Sequence, residues 1–158
     1  MIYYLGLGSN LGRRRENLRR ARELLAARGV RTLKASSVYM TEPIGVRGQP
    51  WFYNQVLKVE TKLAPQALLV IGHEVEAALG RLRPARRKPR TIDVDILLAG
   101  RSIVRTKTLT IPHPRLERRK FVLVPLAEIA PAVVHPLRHK TAATLLAKSQ
   151  DISVVKCI

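Results

Sequence analysis

The stretch RKPRTIDVDILLAG, residues 87–100, decides how the chain is read. Its second half, TIDVDILLAG, is rich in β-branched and aliphatic side chains and is bounded by Gly100, which predicts a strand. In a strand, residues two apart project from the same face, so Asp93 and Asp95 point together while Ile92, Val94 and Ile96 point into a core. The chain has three aspartates, and two of them are this pair. Two carboxylates on one face repel, and burying them uncompensated is costly, so a cation must lie close. Salt bridges to neighbouring arginines would meet that need. A divalent ion meets it as well, and is favoured because two parallel carboxylates leave coordination positions open for water and phosphate oxygens, the way Mg²⁺ is usually held.

The residues just before the strand point the same way. Residues 81–90 carry Arg81, Arg83, Arg86, Arg87, Lys88 and Arg90 with no acid, broken by Pro84 and Pro89. This predicts an irregular loop. Arginine's planar fork matches phosphate oxygens two at a time. A cationic loop beside a carboxylate pair suits magnesium–nucleotide chemistry, in which arginines neutralise charge developing on the transferred group. There is no Walker-type GxxxxGK[ST] segment, and GLGSNLG has the wrong glycine spacing for a dinucleotide fingerprint.

Working outward, the segments alternate in period. IYYLGLG (2–8) predicts a buried strand, followed by Asn10 as a helix cap. In the helix after it, Leu18, Ala21, Leu24 and Leu25 recur at helical spacing until Gly29 stops it. LKASSVYM (33–40) predicts a second strand, TEPIGVRGQPWF (41–52) a loop, and QVLKVET (55–61) a strand with one wet face. Pro65 opens a second helix, with Leu68, Ile71, Val75, Ala78 and Leu79 as its apolar stripe and Gly80 as its end.

Composition bounds the class. At 158 residues and 46% apolar content the chain predicts one compact domain over residues 1–158. The single cysteine, Cys157, excludes an internal disulfide framework and a cysteine zinc site. No transmembrane-length run and no signal-peptide pattern is present, so a soluble cytoplasmic protein is expected. The formal charge of +18, from 29 Lys and Arg against 11 Asp and Glu, predicts attraction to polyanions, either nucleic acid or a phosphorylated small molecule. Arginine also accumulates as solvated surface. A nucleic-acid-binding sheet would need stacking aromatics, and aromatic content is 4% with no RNP-type segment.

GLGSNLG, SSVYMTEPIG, FYNQV, GRLR, PRTIDVDILL and IPHPRLERRKFVLVPLAEIAP occur in the order and approximate spacing of 6-hydroxymethyl-7,8-dihydropterin pyrophosphokinases, a family the chain resembles over nearly its whole length, weakening after about Pro136. The resemblance implies an α+β fold, a ferredoxin-like antiparallel sheet with helices on both faces. It implies transfer of pyrophosphate from ATP to the pterin hydroxymethyl group with release of AMP. Asp93 and Asp95 would hold two Mg²⁺ ions, with Arg81 and Arg90 as further catalytic groups. On the ATP side it places His73, Glu76, Arg81, Arg83, Arg90, Ile96, Thr110, His113 and Arg119. On the pterin side it places Phe52 and Phe121 as aromatic walls, Asn54 as edge reader, Thr41, Glu42 and Pro43 as loop contacts, and Asp93. His135 and His139 lack such context and read as surface residues. Implied partners are ATP and the pterin, with no membrane and no specific nucleic acid, though charge leaves nonspecific polyanion adhesion open. A monomer is expected, with a dimer as the alternative. Lys88 departs from the family, where a glycine usually precedes the proline at Pro89.

Overall fold

The computed structural model describes residues 1–81 and 88–158. The apolar, glycine-punctuated start forms β1 (Ile2–Ser9), an interior strand of the sheet. It pairs antiparallel with β4 (Phe52–Glu60) on one side and with β5 (Asp93–Ala99) on the other. β2 (Arg31–Ala35) and β3 (Tyr39–Thr41) both lie along β4, and β10 (Val155–Cys157) closes the edge next to β3. The strand order is β10-β3-β4-β1-β5, with β2 also on β4, and every pairing is antiparallel. This is the ferredoxin-like arrangement, with β2 and β3 sharing the place of one strand.

Helices α1 (Arg14–Ala27) and α2 (Pro65–Ala78) cover one face, where Tyr3, Leu5, Leu7, Leu18, Leu25, Leu57, Leu68 and Val75 are buried together. The other face carries Tyr4, Val56, Leu97 and Leu98 against α3 (Lys120–Ile129) and α4 (Ala142–Ala147). Two short hairpins, β6 (Val104–Arg105) with β7 (Thr110–Ile111) and β8 (Val134–His135) with β9 (Lys140–Thr141), connect these parts. Burying nonpolar surface on both sides of one sheet is what an apolar content near one half makes possible.

The expected strand 33–40 is two strands, and the reason is local. Ser36 turns its hydroxyl into the ladder and accepts the Val56 N–H at 2.9 Å, while its carbonyl accepts from Gln55 Nε2 at 2.7 Å. The chain kinks there and resumes as β3. The wet-faced strand begins three residues earlier than its pattern indicates, so Phe52 and Asn54 stand on β4 rather than in a loop. Gly29 and Gly80 end their helices with φ of 82° and 88°, as the left-handed stop requires. Asn10, however, caps nothing. Helix α1 starts at Arg14 after Arg13 and has no side-chain cap, because the Asn10 amide is engaged elsewhere. His135 is also no surface residue: it is 5% exposed, and its Nδ1 accepts the Leu137 and Arg138 N–H groups at 3.2 Å.

Candidate active site

The site lies on the α3 face of the sheet, where the helical cover ends. Register places Gly8 opposite Asp93 and Asn54, and Gly6 opposite Asp95, so these residues share one face. Ile92, Val94 and Ile96 are buried, as the alternation predicts, and both aspartates are half-buried toward the open side.

The carboxylates sit within a charged network. Asp93 Oδ2 accepts from Arg90 Nε at 2.5 Å, and its Oδ1 is ion-paired with Arg81 Nη1. The same Arg81 nitrogen lies 3.1 Å from Glu76 Oε2, and Glu76 Oε1 accepts the Val94 N–H at 3.0 Å. Glu76, 2% exposed, thus fastens α2 to the strand bearing the aspartates and holds Arg81 beside them. Burial, and after it the charge of Asp93, push the Asp95 carboxyl up to about 6, while Arg119 and Arg81 pull the other way. A buried carboxylate whose negative form is opposed by its neighbour's charge calls for a cation. Among the described residues no group of three or more His, Cys, Asp and Glu side chains forms a metal cage. Asp93 and Asp95 are hard oxygen donors side by side on one strand face, a donor set that fits Mg²⁺.

His113 is positioned by the main chain, its N–H donating to Leu97 O at 3.0 Å. Its Nδ1 accepts the Arg115 N–H at 3.2 Å, which leaves Nε2 to carry the proton as a donor. Burial, then Arg119 and Arg115, push this imidazole down to about 4, so it is neutral at physiological pH.

Two aromatic rings lie under arginines of the network. Phe52 lies on β4 with the Arg90 guanidinium 5.1 Å from its ring centre, and Phe121 lies at the start of α3 with the Arg119 guanidinium at 5.4 Å. Asn54, 8% exposed and two residues from Phe52 on the same face of β4, donates from Nδ2 to Thr41 Oγ1 at 2.6 Å. A Cβ added at Gly8 would stand 2.7 Å from Asn54 Oδ1, so glycine is what lets β1 approach this amide.

Other assigned residues fall outside this cluster. Glu42 reaches the C-terminal segment, its Oε1 accepting the Val154 N–H at 2.8 Å. His73 is exposed on α2 while Glu76 is buried, and Thr110 is exposed on β7. The Ile96 side chain belongs to the core, on β5 at the end of the strand order. Pro43 lies half-buried in the loop after β3. Arg83, with Arg86 and Arg87, lies outside the described residues.

Asn10 joins three parts of the site. Its Nδ2 donates to Gln49 Oε1 and Pro50 O at 3.0 and 3.2 Å, its Oδ1 accepts the Arg90 N–H at 2.8 Å, and its own N–H donates to Arg90 O at 3.1 Å. Nothing in its sequence context separates this role from a helix cap, since the partners lie 39 to 80 residues away.

Residues 4–131 match the family described as 7,8-dihydro-6-hydroxymethylpterin-pyrophosphokinase (HPPK). The chain belongs to this family. A Bacillus subtilis 2-amino-4-hydroxy-6-hydroxymethyldihydropteridine pyrophosphokinase is 45% identical over 133 residues, covering 84% of this chain and 80% of that protein. The Folic acid synthesis protein fol1 of Pneumocystis carinii is 41% identical over 148 residues, which are 94% of this chain and 20% of that longer protein. In fold, wild-type Plasmodium falciparum HPPK-DHPS solved with pteroate superposes with a TM-score of 0.76 at 16% identity, over 93% of this chain and 42% of that one. As a member of the HPPK family, the chain is a pyrophosphokinase acting on hydroxymethyldihydropterin in folate biosynthesis. The family match ends at residue 131, whereas the segment after it still contributes β10 to the sheet and Ala142 and Leu145 to the core.

Proposed function

We propose that the donor is magnesium-bound ATP, that AMP leaves, and that the Asp93–Asp95 face is where transfer takes place. The observation carrying this reading is the joining of two repelling carboxylates with Arg81, Arg90 and Arg119 at one end of the sheet, beside two aromatic walls. When bound, two magnesium ions on Asp93 and Asp95 would screen the phosphate oxygens from an incoming alcohol.

The chain's own groups have distinct tasks. Arg81 and Arg90 donate to phosphate oxygens as charge develops on the transferred group, and Arg83 is assigned to the same loop. Arg119 and the neutral His113 Nε2–H donate from the opposite side. Thr110, His73 and the Ile96 main chain line the nucleotide's further reach. Glu76 acts by holding Arg81 and β5. Phe52 and Phe121 stack on the pterin, Asn54 Oδ1 accepts from its edge, and Asp93 borders both substrates. Thr41 orients Asn54, and Glu42 and Pro43 shape the loop. The hydroxymethyl oxygen forms a bond to the β-phosphorus. The bond from that phosphorus to the α–β bridging oxygen breaks with its electron pair going to AMP, and the hydroxyl proton passes to a carboxylate oxygen of the aspartate pair. Residues 1–158 are taken as one pyrophosphokinase unit, supported by β1 and β10 sharing a sheet.

An assay of AMP release from ATP, with and without hydroxymethyldihydropterin, tests this. AMP formation dependent on the pterin is expected. ADP as product, or AMP at the same rate without pterin, would exclude it.

A further inference from the structure

The third of the chain's aspartates, Asp151, lies twenty residues beyond the family match and yet reaches the candidate site. Its Oδ2 accepts the N–H of Lys120 at 2.9 Å. Lys120 opens α3 between Arg119 and Phe121, and that helix has no side-chain cap from its own preceding residue. Asp151 therefore satisfies, from a distant part of the chain, one of the donors a helix start leaves unpaired, and places a carboxylate at the positive end of the helix. The carboxylate is itself fixed, with Oδ1 accepting the Ser153 N–H at 2.9 Å and the Asp151 N–H donating to Ser149 Oγ at 3.2 Å.

Three residues on, the same segment grips the opposite side of the pocket. Val154 N–H donates to Glu42 Oε1 at 2.8 Å, and Val154 O accepts the Glu42 N–H at 3.4 Å. Val155, Lys156 and Cys157 then pair with Thr41, Met40 and Tyr39, and Ile158 N–H donates to Val38 O at 3.1 Å. Thr41 is the residue that orients Asn54. One ten-residue segment thus bonds to the helix start that carries Phe121 and to the strand that sets Asn54.

We infer that residues 149–158 are a strap that fixes the gap between the two sides of the pterin pocket, with Asp151 as its positioning residue. The inference rests on the assignment of Phe52, Asn54 and Phe121 to the pterin. A flat heterocycle stacked on both faces needs walls about 7 Å apart, twice the optimal carbon–carbon separation of roughly 3.5 Å, and a radial gap of about 0.5–1 Å forfeits a quarter to a half of each contact. Near its end α3 is held to the strand side by Glu128, which accepts from Ser37 and Tyr39, and at its start, where Phe121 stands, the Asp151 carboxylate holds it from outside and sets the spacing there without touching ligand.

The test measures pterin affinity by calorimetry in the presence of a non-hydrolysable ATP analogue, and the affinity for the analogue alone, in Asp151→Ala, Asp151→Asn and Phe121→Ala. Expected are a roughly tenfold or greater weakening of pterin binding in Asp151→Ala, analogue affinity within about twofold of wild type, and partial recovery in Asp151→Asn, which keeps one of the two acceptor oxygens and can still take the Lys120 N–H while losing the bond from Ser153. Should Asp151→Ala fail to fold, Val154→Pro, which removes the N–H that Glu42 accepts without altering a residue assigned to the pterin, reads the second attachment, and the same pterin-specific loss is expected. Phe121→Ala separates the two levels. If it weakens pterin binding while Asp151→Ala does not, the strap is wrong and the pocket stands. If Phe121→Ala has no effect, the wall assignment and the strap fall together, while pterin-dependent AMP release still tests the reaction. Equal losses of pterin and analogue affinity would mean general damage and overturn the inference.

Discussion

Asp95 is placed where the ligand-free fold is least comfortable with it. Its carboxyl ionises near pH 6 because burial and the neighbouring Asp93 charge oppose the negative form. The unfolded chain gives up that proton near the ordinary value of 3.8, so between these values the unfolded state binds fewer protons and stability falls as pH rises. Above about pH 6 the full penalty is present; below about pH 4 it is gone. Asp95→Asn is therefore expected to raise the melting temperature of the ligand-free protein at pH 8 and to leave it unchanged at pH 4. The same variant should lower turnover on the order of a thousandfold or more, several kcal/mol of lost transition-state stabilisation. Thermal scans at the two pH values and a steady-state assay check both arms, and near-wild-type turnover would remove Asp95 from the site. This aspartate pair was legible in the sequence because period-two alternation fixes which residues share a face. Glu76 was not legible in the same way. The resemblance places it with His73 on the ATP side without telling which of the two faces the sheet, and the structure buries Glu76 under Val94 while His73 stays exposed.

At the scale of elements, β1 serves as the floor on which both substrates would lie, and glycine makes that possible. The Cβ that alanine would bring at Gly8 meets Asn54 Oδ1 at 2.7 Å and Phe52 Cδ1 at 3.5 Å, and Asn54 cannot retreat without leaving Thr41 Oγ1. Gly8→Ala is expected to weaken pterin binding by tenfold or more, about 1.4 kcal/mol, while nucleotide affinity stays near wild type. Calorimetry with each ligand decides it, and unchanged pterin affinity would show that the Asn54 amide has no part in recognition. Strand and helix order was readable from periodicity, and the helix ends from Gly29 and Gly80. The breaks were not, because they depend on partners remote in sequence. The Ser36 hydroxyl interrupts the strand expected over residues 33–40 by taking an N–H from β4, and Asn10 forgoes its cap to bind Arg90 and the loop at Pro50. The contribution of β10 was equally hidden, since a short exposed strand has almost no pattern of its own.

Across the whole molecule, cations outnumber acids by 29 to 11, and those at the site hold groups that the substrates would claim. Arg90 binds Asp93 through Nε and lies over the Phe52 ring, while its main chain is pinned by Asn10. Arg119 lies over Phe121 in the same manner. A polyphosphate entering beside Asp93 competes for both guanidiniums, and each one drawn to phosphate uncovers an aromatic face for the pterin. Nucleotide should therefore raise pterin affinity, and by linkage pterin should raise nucleotide affinity by the same factor. Couplings of this kind are typically about 1–3 kcal/mol, a factor of roughly 5 to 150 in dissociation constant. Arg90→Ala removes one cover in advance, so it is expected to strengthen pterin binding to the nucleotide-free protein and to shrink the further gain on adding a non-hydrolysable ATP analogue. Titrating pterin into wild type and Arg90→Ala, each with and without saturating analogue, measures all four affinities. Equal affinities in the two wild-type titrations would show that the rings are already open, and an undiminished gain in Arg90→Ala would place the coupling elsewhere in the site.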